Sequence, residues 1–180
     1  MTRHVALLRA INVGGHVVPM ARLRELFTAL KFADVATVIA SGNVLFTSRS
    51  GTPDQLERRI EIHLQQSLGY EVATFLRSAD ELADVVAHQP FPAEAPLAAG
   101  HALSVLFLKG PLSTPALAAL LALRTPTDDF HVRGREAYWL CRGRVSDSKV
   151  TGAKIEKAVG GPATARNITT VRKLGEAVGA

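Results

Sequence analysis

The stretch Val35-Ala-Thr-Val-Ile-Ala-Ser-Gly-Asn-Val-Leu-Phe46 decides the fold, because it holds two apolar runs on either side of Ser41-Gly42-Asn43. Val35 to Ala40 and Val44 to Phe46 are predicted strands. Gly followed by Asn is typical of the tight turn of a β-hairpin, since both residues tolerate positive φ. This hairpin forms the centre around which the other elements of the first half are placed.

A strand and a helix precede the hairpin, and a helix and a strand follow it. Arg3 to Ala10 is an apolar strand, and Pro19 begins a helix with apolar residues at helical spacing. Thr52 caps a second helix that ends at Gly69, and Val72 to Leu76 is the fourth strand. The order β-α-β-β-α-β is that of the ferredoxin-like, or split βαβ, arrangement.

This order makes two structural predictions for the first half. The four strands form one antiparallel sheet with both helices on one face. Leu23 and Leu64 lie on the apolar stripes of the two helices and are therefore predicted core residues. Ser78 and Glu81 form a capping-box pair that opens a short third helix.

The second half is predicted from residue 102 onward, after a Pro- and Ala-rich connection at residues 89–101. Its order is β-α-β-β-α-α, with a hairpin around Gly134-Arg135 and helices over residues 147–159 and 168–178. The sequence thus predicts an α+β protein in which residues 1–88 form a ferredoxin-like half. Residues 102–180 form a second βαββα half of similar topology that packs against it. One compact domain over the whole chain is the alternative.

Composition limits the functional classes. The 180 residues include 21 Lys+Arg and 16 Asp+Glu, a formal charge of +5, which allows phosphate-bearing partners but is shared by many enzymes. The single cysteine, Cys141, excludes an intrachain disulfide and a cysteine metal cluster. With neither a signal peptide nor an apolar run of about 20 residues, the chain is expected to be cytoplasmic and without a membrane partner.

Standard catalytic and cofactor motifs are missing from the sequence. There is no G-x-S-x-G, Walker loop, H-E-x-x-H or G-x-G-x-x-G, and the six histidines have no metal-ligand spacing. Cys141 alternates with Trp139 in a strand pattern and is therefore a predicted core residue. We expect neither a metal nor a cofactor.

Four polar loops are the candidates for a binding site. The glycine-bearing turn after the first strand could hold an anion on its N–H groups, although a plain βα turn explains it equally. The Ser41 turn has a simple hairpin interpretation. Lys149 is predicted at one helix start and Arg166 just before another, where positive charge opposes the helix dipole by about 0.3–1 kcal/mol. Caps and exposed side chains are the structural alternative at both places.

An anion bound between the two cations would offset this cost, so we predict that the loops meet in one site. The main hypothesis is that the site binds a phosphate-bearing ligand, with nucleic acid among the candidates. A small-molecule enzyme without a metal and a protein-interaction module are the alternatives. The strands lack the aromatic pairs of RNA-recognition motifs, since the four strand aromatics are equally suited to the core: Phe46, Phe75, Phe107 and Trp139. The candidate site residues are Asn12, Gly14, Gly15, Ser41, Asn43, Lys149, Arg166 and Asn167.

Several of these segments together resemble the bacterial family catalogued as domain of unknown function 1697. The resemblance rests on Val5 to Gly15, Ile39 to Val44, Ser148 to Thr151 with Ile155-Glu-Lys157, and Thr164 to Asn167 with Thr170 to Leu174. This chain has Ile168 where the family usually has Trp, and Gly152 where it tends to have Asn. The resemblance implies an α+β fold with ferredoxin-like halves and no established activity.

Overall fold

The computed structural model describes residues 1–12, 14–39 and 42–179, and these form two compact units. Unit 1 consists of residues 1–84 and the C-terminal segment from Arg172, and unit 2 consists of residues 85–171. The connection at residues 89–101 therefore lies within unit 2. None of the helices in the described ranges is long and apolar enough to cross a membrane.

The elements follow each other in the same order in both halves of the chain. The first half contains β1 (Thr2–Leu8), α1 (Met20–Ala29), β2 (Ala33–Thr37), β3 (Asn43–Ser48), α2 (Pro53–Leu68), β4 (Thr74–Ser78) and α3 (Ala79–Ala87). The second contains β5 (Ala102–Leu108), α4 (Thr114–Leu121), β6 (Asp128–Arg133), β7 (Glu136–Cys141), α5 (Gly152–Val159), β8 (Ala163–Asn167) and α6 (Ile168–Gly179). The α+β class predicted from sequence is confirmed.

Each unit contains one four-stranded antiparallel sheet. The first sheet has the order β2-β3-β1-β4 and the second the order β6-β7-β5-β8. The two orders are equivalent strand by strand. The register of the edge strand is also equivalent, because Val5 of β1 pairs with Arg77 of β4 and Val105 of β5 pairs with Arg166 of β8. The similar topology of the two halves, which the sequence suggested, therefore extends to the pairing of single residues.

The core of unit 1 lies between one face of the first sheet and helices α1 and α2. Ala6 and Leu8 of β1 point into it together with residues of both helices, as the period-2 pattern of a strand requires. Leu23 and Leu64 are 2% and 0% exposed, so both predictions are confirmed. Thr52 and Gln55 form a capping box at the start of α2, and the helix ends at Gly69 with φ 84°, which suits glycine.

Three sequence predictions differ from the structure. The strand predicted over Val35 to Ala40 ends earlier, because β2 ends at Thr37 and Val38 and Ile39 lie outside it. Helix α5 begins at Gly152 with Thr151 as its N-cap, not at residue 147. The strand β8 was missed, because its sequence Ala-Thr-Ala-Arg-Asn has no apolar alternation and is held by pairing with β5.

Candidate functional site

The unit 1 members of the predicted site lie at one end of the first sheet. β1 ends there at Leu8, and the Leu8 N–H donates to the Gly42 carbonyl at 2.7 Å. Asn43, at the start of β3, pairs with Leu7. The loop after β1 and the β2–β3 connection are therefore neighbours, as the sequence hypothesis requires for this part of the site. Ser41 lies outside the described residues.

The loop between β1 and α1, residues 9–19, is held by one of its own side chains and by Tyr70. The Asn12 Oδ1 accepts a hydrogen bond from the Val18 N–H at 2.7 Å. The Tyr70 hydroxyl donates to the Ile11 carbonyl at 2.9 Å, and the His16 ring stacks on Tyr70 with 4.0 Å between centroids. The carboxamide oxygen of Asn12 thus has a structural role, as the turn interpretation predicts.

The two glycines of this loop adopt backbone conformations that side chains disfavour. Gly14 has φ 63° and Gly15 has φ 83°, in the left-handed region that favours glycine. A Cβ atom at Gly15 would meet no atom within 4 Å, and at Gly14 only the edge of the His16 ring at 4.0 Å. The backbone conformation, not close packing, explains why glycine stands at these positions.

Asn43 organises the connection that precedes it. Its side chain is 3% exposed, and its Nδ2 donates to the carbonyl oxygens of Val38 and Ile39, both at 3.2 Å. Both amide hydrogens are therefore directed at the backbone. This arrangement assigns Asn43 to positioning the loop.

In unit 2, the segment around Lys149 depends on a buried carboxylate that the sequence hypothesis did not include. Asp128 is 1% exposed and accepts four side-chain hydrogen bonds. The donors are the Thr125 hydroxyl at 2.7 Å, the Thr127 hydroxyl at 3.1 Å, the Trp139 indole at 2.9 Å and the Ser148 hydroxyl at 2.8 Å. Burial raises the pKa of Asp128, but these hydrogen bonds outweigh burial and hold it below its usual value.

Cys141 belongs to the same buried region. It is 2% exposed and lies opposite Asp128 in the β6–β7 register. Burial and the neighbouring Asp128 raise the pKa of its thiol, and a buried thiol with a raised pKa is a poor nucleophile. The prediction that Cys141 is a core residue is confirmed.

Asp128 fixes the loop that carries Lys149, which we call the Lys149 loop and define as residues 142–151. The Ser148 hydroxyl donates a hydrogen bond to Asp128 and accepts one from the Val150 N–H at 3.0 Å. The Val150 side chain is buried, and Thr151 is the N-cap of α5. The Lys149 carbonyl accepts from the Lys154 Nζ at 2.7 Å. The backbone on both sides of Lys149 is thus held in place.

The side chain of Lys149 is exposed. Its Nζ forms no hydrogen bond or ion pair with any residue in the described ranges. The prediction that Lys149 stands within a helix start and opposes its dipole is wrong, because α5 begins three residues later and the Ser148 hydroxyl is engaged by Asp128. Of the residues 148–151, Lys149 is the one whose side chain has no structural role.

Arg166 has a counterpart in the other half of the chain. The Arg166 Nη1 donates to the Thr164 hydroxyl at 2.8 Å and to the Ala165 carbonyl at 2.9 Å. The Nη1 of fully buried Arg77 likewise donates to the carbonyl of the residue before it, Leu76, at 2.7 Å. Burial lowers the pKa of Arg166 to about 10. The repeated arrangement indicates that this arginine belongs to the fold.

Asn167 begins α6 by a local hydrogen bond. Its Oδ1 accepts from the Thr169 N–H at 2.9 Å, while its side chain is exposed, as expected of an N-terminal capping residue. β8 runs antiparallel to β5, with Asn167 opposite Ser104, and β7 ends opposite Ala102. The end of β8 and the start of the Lys149 loop therefore share one end of the second sheet.

The positive charge of the chain is concentrated in unit 2. This unit has ten Lys+Arg against six Asp+Glu, while unit 1 has eleven against ten. In the Lys149 loop, Arg142 is paired with Glu94 at 2.8 Å, whereas Arg144 is exposed and forms no ion pair within the described residues. Arg144 and Lys154 were missed by the sequence hypothesis, and the density of basic residues between 142 and 154 was the available signal.

The strand aromatics do not form a stacking surface. Phe46, Phe75 and Phe107 are 0% exposed and Trp139 is 6% exposed, so of the two interpretations left open by the sequence, the core is the one observed. Across the part of the chain that the structure describes, no three His, Cys, Asp or Glu side chains are grouped so that they could hold a metal ion.

Comparison with known proteins supplies a family and a fold. The model of the family described as "Protein of unknown function (DUF1697)" matches residues 1–138. No curated protein matches the chain. The structure of the conserved bacterial protein SP0830 from Streptococcus pneumoniae is similar, with a TM-score of 0.79, 24% identity, and coverage of 100% of this chain and 99% of that chain. This similarity shows that the two chains share a fold.

Proposed function

The chain belongs to the DUF1697 family, whose description assigns no activity, and from its own residues we propose that it binds a phosphate-bearing ligand through the Lys149 loop. The observation that supports the proposal most directly is the held backbone around an exposed lysine. Ser148, Val150 and Thr151 each have a structural role, and Lys149 has none. Because the backbone is already ordered, binding of an anion to this lysine requires little further loss of backbone entropy.

The positively charged residues near Lys149 also support a phosphate-bearing ligand at this loop. Arg144 and Lys154 flank Lys149, and Asp147 is the one acidic residue between positions 142 and 154. Cations grouped in this way attract phosphate groups and release their counterions on binding. Because the strand aromatics are buried, we propose contact with phosphate groups and not stacking on bases. Binding would then depend strongly on salt and weakly on base sequence.

The other predicted contacts stay predictions. Asn167 shares the sheet end of the Lys149 loop and keeps its amide donor for a ligand. Asn12, Gly14 and Gly15 remain predicted anion contacts of unit 1, and Arg166 remains a source of positive charge. The proposal requires the cations of the Lys149 loop and no contribution from these residues.

The proposal is tested by measuring the binding of three ligands at 50 and 200 mM salt. They are a fluorescein-labelled 12-nucleotide single-stranded RNA, ATP and inorganic pyrophosphate. Lys149→Ala and Arg144→Ala should each weaken binding about three- to tenfold, and each should reduce the salt slope for the RNA by about 0.7. Lys157→Ala is the matched control, because Lys157 is an exposed lysine of α5 outside the loop.

The three ligands separate the possible sources of phosphate. Tight binding of the RNA alone identifies a nucleic acid as the partner, and binding of ATP or pyrophosphate with similar strength identifies a small ligand. If none of the three binds at 50 mM salt, or if Lys157→Ala weakens binding as much as Lys149→Ala does, the proposal is wrong.

A further inference from the structure

A cleft of about 440 Å³ in unit 1 follows the outer side of α2. It is lined by that helix between Gln55 and Gln66 and by Leu30, the residue that follows α1. The eleven steps from Gln55 to Gln66 rise by about 16 Å along the helix, which is long enough for a small organic molecule. None of the predicted anion-site residues that the structure describes lines this cleft.

Basic side chains dominate its polar lining. Arg58, Arg59 and His63 line the cleft, and none of the lining residues is acidic. Arg58 is exposed and forms no hydrogen bond or ion pair within the described ranges, although Asp54 lies one helical turn before it. The cleft therefore has a guanidinium group that is available to an anion.

Arg59, the next residue of α2, also lines the cleft, and its guanidinium is held in a fixed orientation. The Arg59 Nη2 donates to the Leu30 carbonyl, and the guanidinium lies over the Phe32 ring at 5.2 Å from its centroid. A guanidinium ordered by stacking and by one backbone contact keeps its remaining N–H groups in a defined direction. The His63 Nε2 is buried and has no hydrogen-bond partner among the described residues.

Apart from the basic side chains and the amides of Gln55 and Gln66, the lining consists of two apolar residues, Leu30 and Ile62. Ile62 is 47% exposed although it lies in the middle of α2, and Leu30 is 8% exposed. A purely ionic ligand such as inorganic phosphate would leave this apolar surface in water. A ligand with an apolar body would cover it, at about 25 cal/mol for each Å² removed from water.

We propose that the cleft binds a small amphipathic oxyanion, with a phosphate or carboxylate head at Arg58 and Arg59 and an apolar body against Ile62 and Leu30. Arginine suits such heads because its planar N–H groups match two oxygens at once. The site lies in unit 1, whereas the Lys149 loop lies in unit 2, so the two proposals can fail independently.

Titration of the ¹⁵N-labelled full chain tests the proposal with three probes: 1-naphthyl phosphate, 1-naphthoate and neutral 1-naphthol. At least one of the anions should shift amide resonances at residues 30 and 55–66 and bind at least tenfold more tightly than 1-naphthol. The stronger of the two identifies the head group. Equal binding of 1-naphthol, or no shift of these resonances at 5 mM probe, overturns the proposal.

Three variants assign the contacts. Arg58→Ala should weaken the anionic probe about tenfold, as expected for one lost charge-assisted hydrogen bond, and should leave 1-naphthol unchanged. Ile62→Ala should weaken all three probes. Arg49→Ala is the matched control, because Arg49 is an exposed arginine of unit 1 that does not line the cleft. Equal effects of Arg49→Ala and Arg58→Ala would show only general attraction of anions and would also overturn the proposal.

Discussion

Replacing Asp128 by Asn tests whether the buried carboxylate holds the Lys149 loop. The substitution keeps the size of the side chain and removes its charge. Asp128 accepts from three hydroxyl groups and from the Trp139 indole. An asparagine has one acceptor oxygen, so at least one of these donors would face an NH₂ group. Hydroxyl groups can reverse and accept, but an indole N–H cannot.

The expected loss of stability follows from these contacts. Hydrogen bonds to charged groups contribute about 1.5–3 kcal/mol each, against about 1 kcal/mol for neutral ones. The amide avoids the desolvation cost of a buried charge, which offsets part of the loss. We expect Asp128→Asn to lower the free energy of unfolding by about 2–3 kcal/mol at pH 7, and Asp128→Ala to lower it by more than about 4 kcal/mol.

Because the pKa of Asp128 is lowered in the folded chain, its contribution to stability depends on pH. Its folded-state pKa lies below the ordinary value of 3.8, so the stabilisation is present above about pH 4 and is lost as the pH falls through the folded value. The stability difference between the parent chain and Asp128→Asn should therefore narrow between pH 5 and pH 2.5.

Urea unfolding followed by tryptophan emission measures both effects, because Trp139 is the only tryptophan and donates to Asp128. Asp129→Asn is the control. Asp129 is 30% exposed and pairs with Arg124 and Arg142, so its loss should cost less than about 1 kcal/mol. A difference below 0.5 kcal/mol for Asp128→Asn at pH 7 would refute the reasoning, and so would a difference that stays constant down to pH 2.5.

Two further predictions concern unit 1. Leu23→Ala and Leu64→Ala should each lower the free energy of unfolding by about 2–5 kcal/mol. Ile62→Ala, at a half-exposed position, should lower it by less than about 1 kcal/mol. Equal urea midpoints for all three variants would show that the helix faces are misassigned. Burial lowers the pKa of His4, although Glu81 opposes this shift, so its contribution to stability is present above about pH 6.5 and falls at lower pH. Loss of stability between pH 7.5 and 5 should be smaller in a His4→Gln variant, and an unchanged loss would contradict the assignment.

Elements with local signals were predicted from the sequence, and elements held by distant partners were not. The Ser78–Glu81 capping box and the Thr52 cap, whose partners lie within a few residues of them, form as predicted. β8 was missed because its order comes from β5 and from the Glu156 carboxylate of α5, which accepts from the Ala163 N–H at 3.0 Å.

In the candidate site, too, the contacts that depend on distant partners were not predicted from the sequence. Ser148 has the sequence context of a helix cap, but its hydroxyl is bound by Asp128, twenty residues away in the chain. Asn43 has the sequence context of a loop ligand, but its amide is bound by two backbone carbonyls. A polar residue's type predicts that it will form hydrogen bonds, whereas the partner depends on the folded chain. For the same reason the α2 cleft, which needs Leu30 beside the helix, has no signal in the sequence.

The equivalence of the two halves separates features of the fold from features of function. Glu61 accepts from the N–H of Thr74 at the start of β4, as Glu156 does from Ala163 at the start of β8. Both glutamates satisfy backbone groups of an edge strand, which any such sheet requires.

The loops show no such equivalence. The β7–α5 loop has ten residues against four for the β3–α2 loop, and the β1–α1 loop has eleven against five for the β5–α4 loop. The β7–α5 loop and the β1–α1 loop are therefore each more than twice as long as their equivalents. Arg166, which repeats the backbone contact of Arg77, belongs with the shared features. Lys149 does not belong with the shared features, because its loop has no equivalent of the same length in the first half. Ligand binding is therefore better tested at Lys149 than at Arg166.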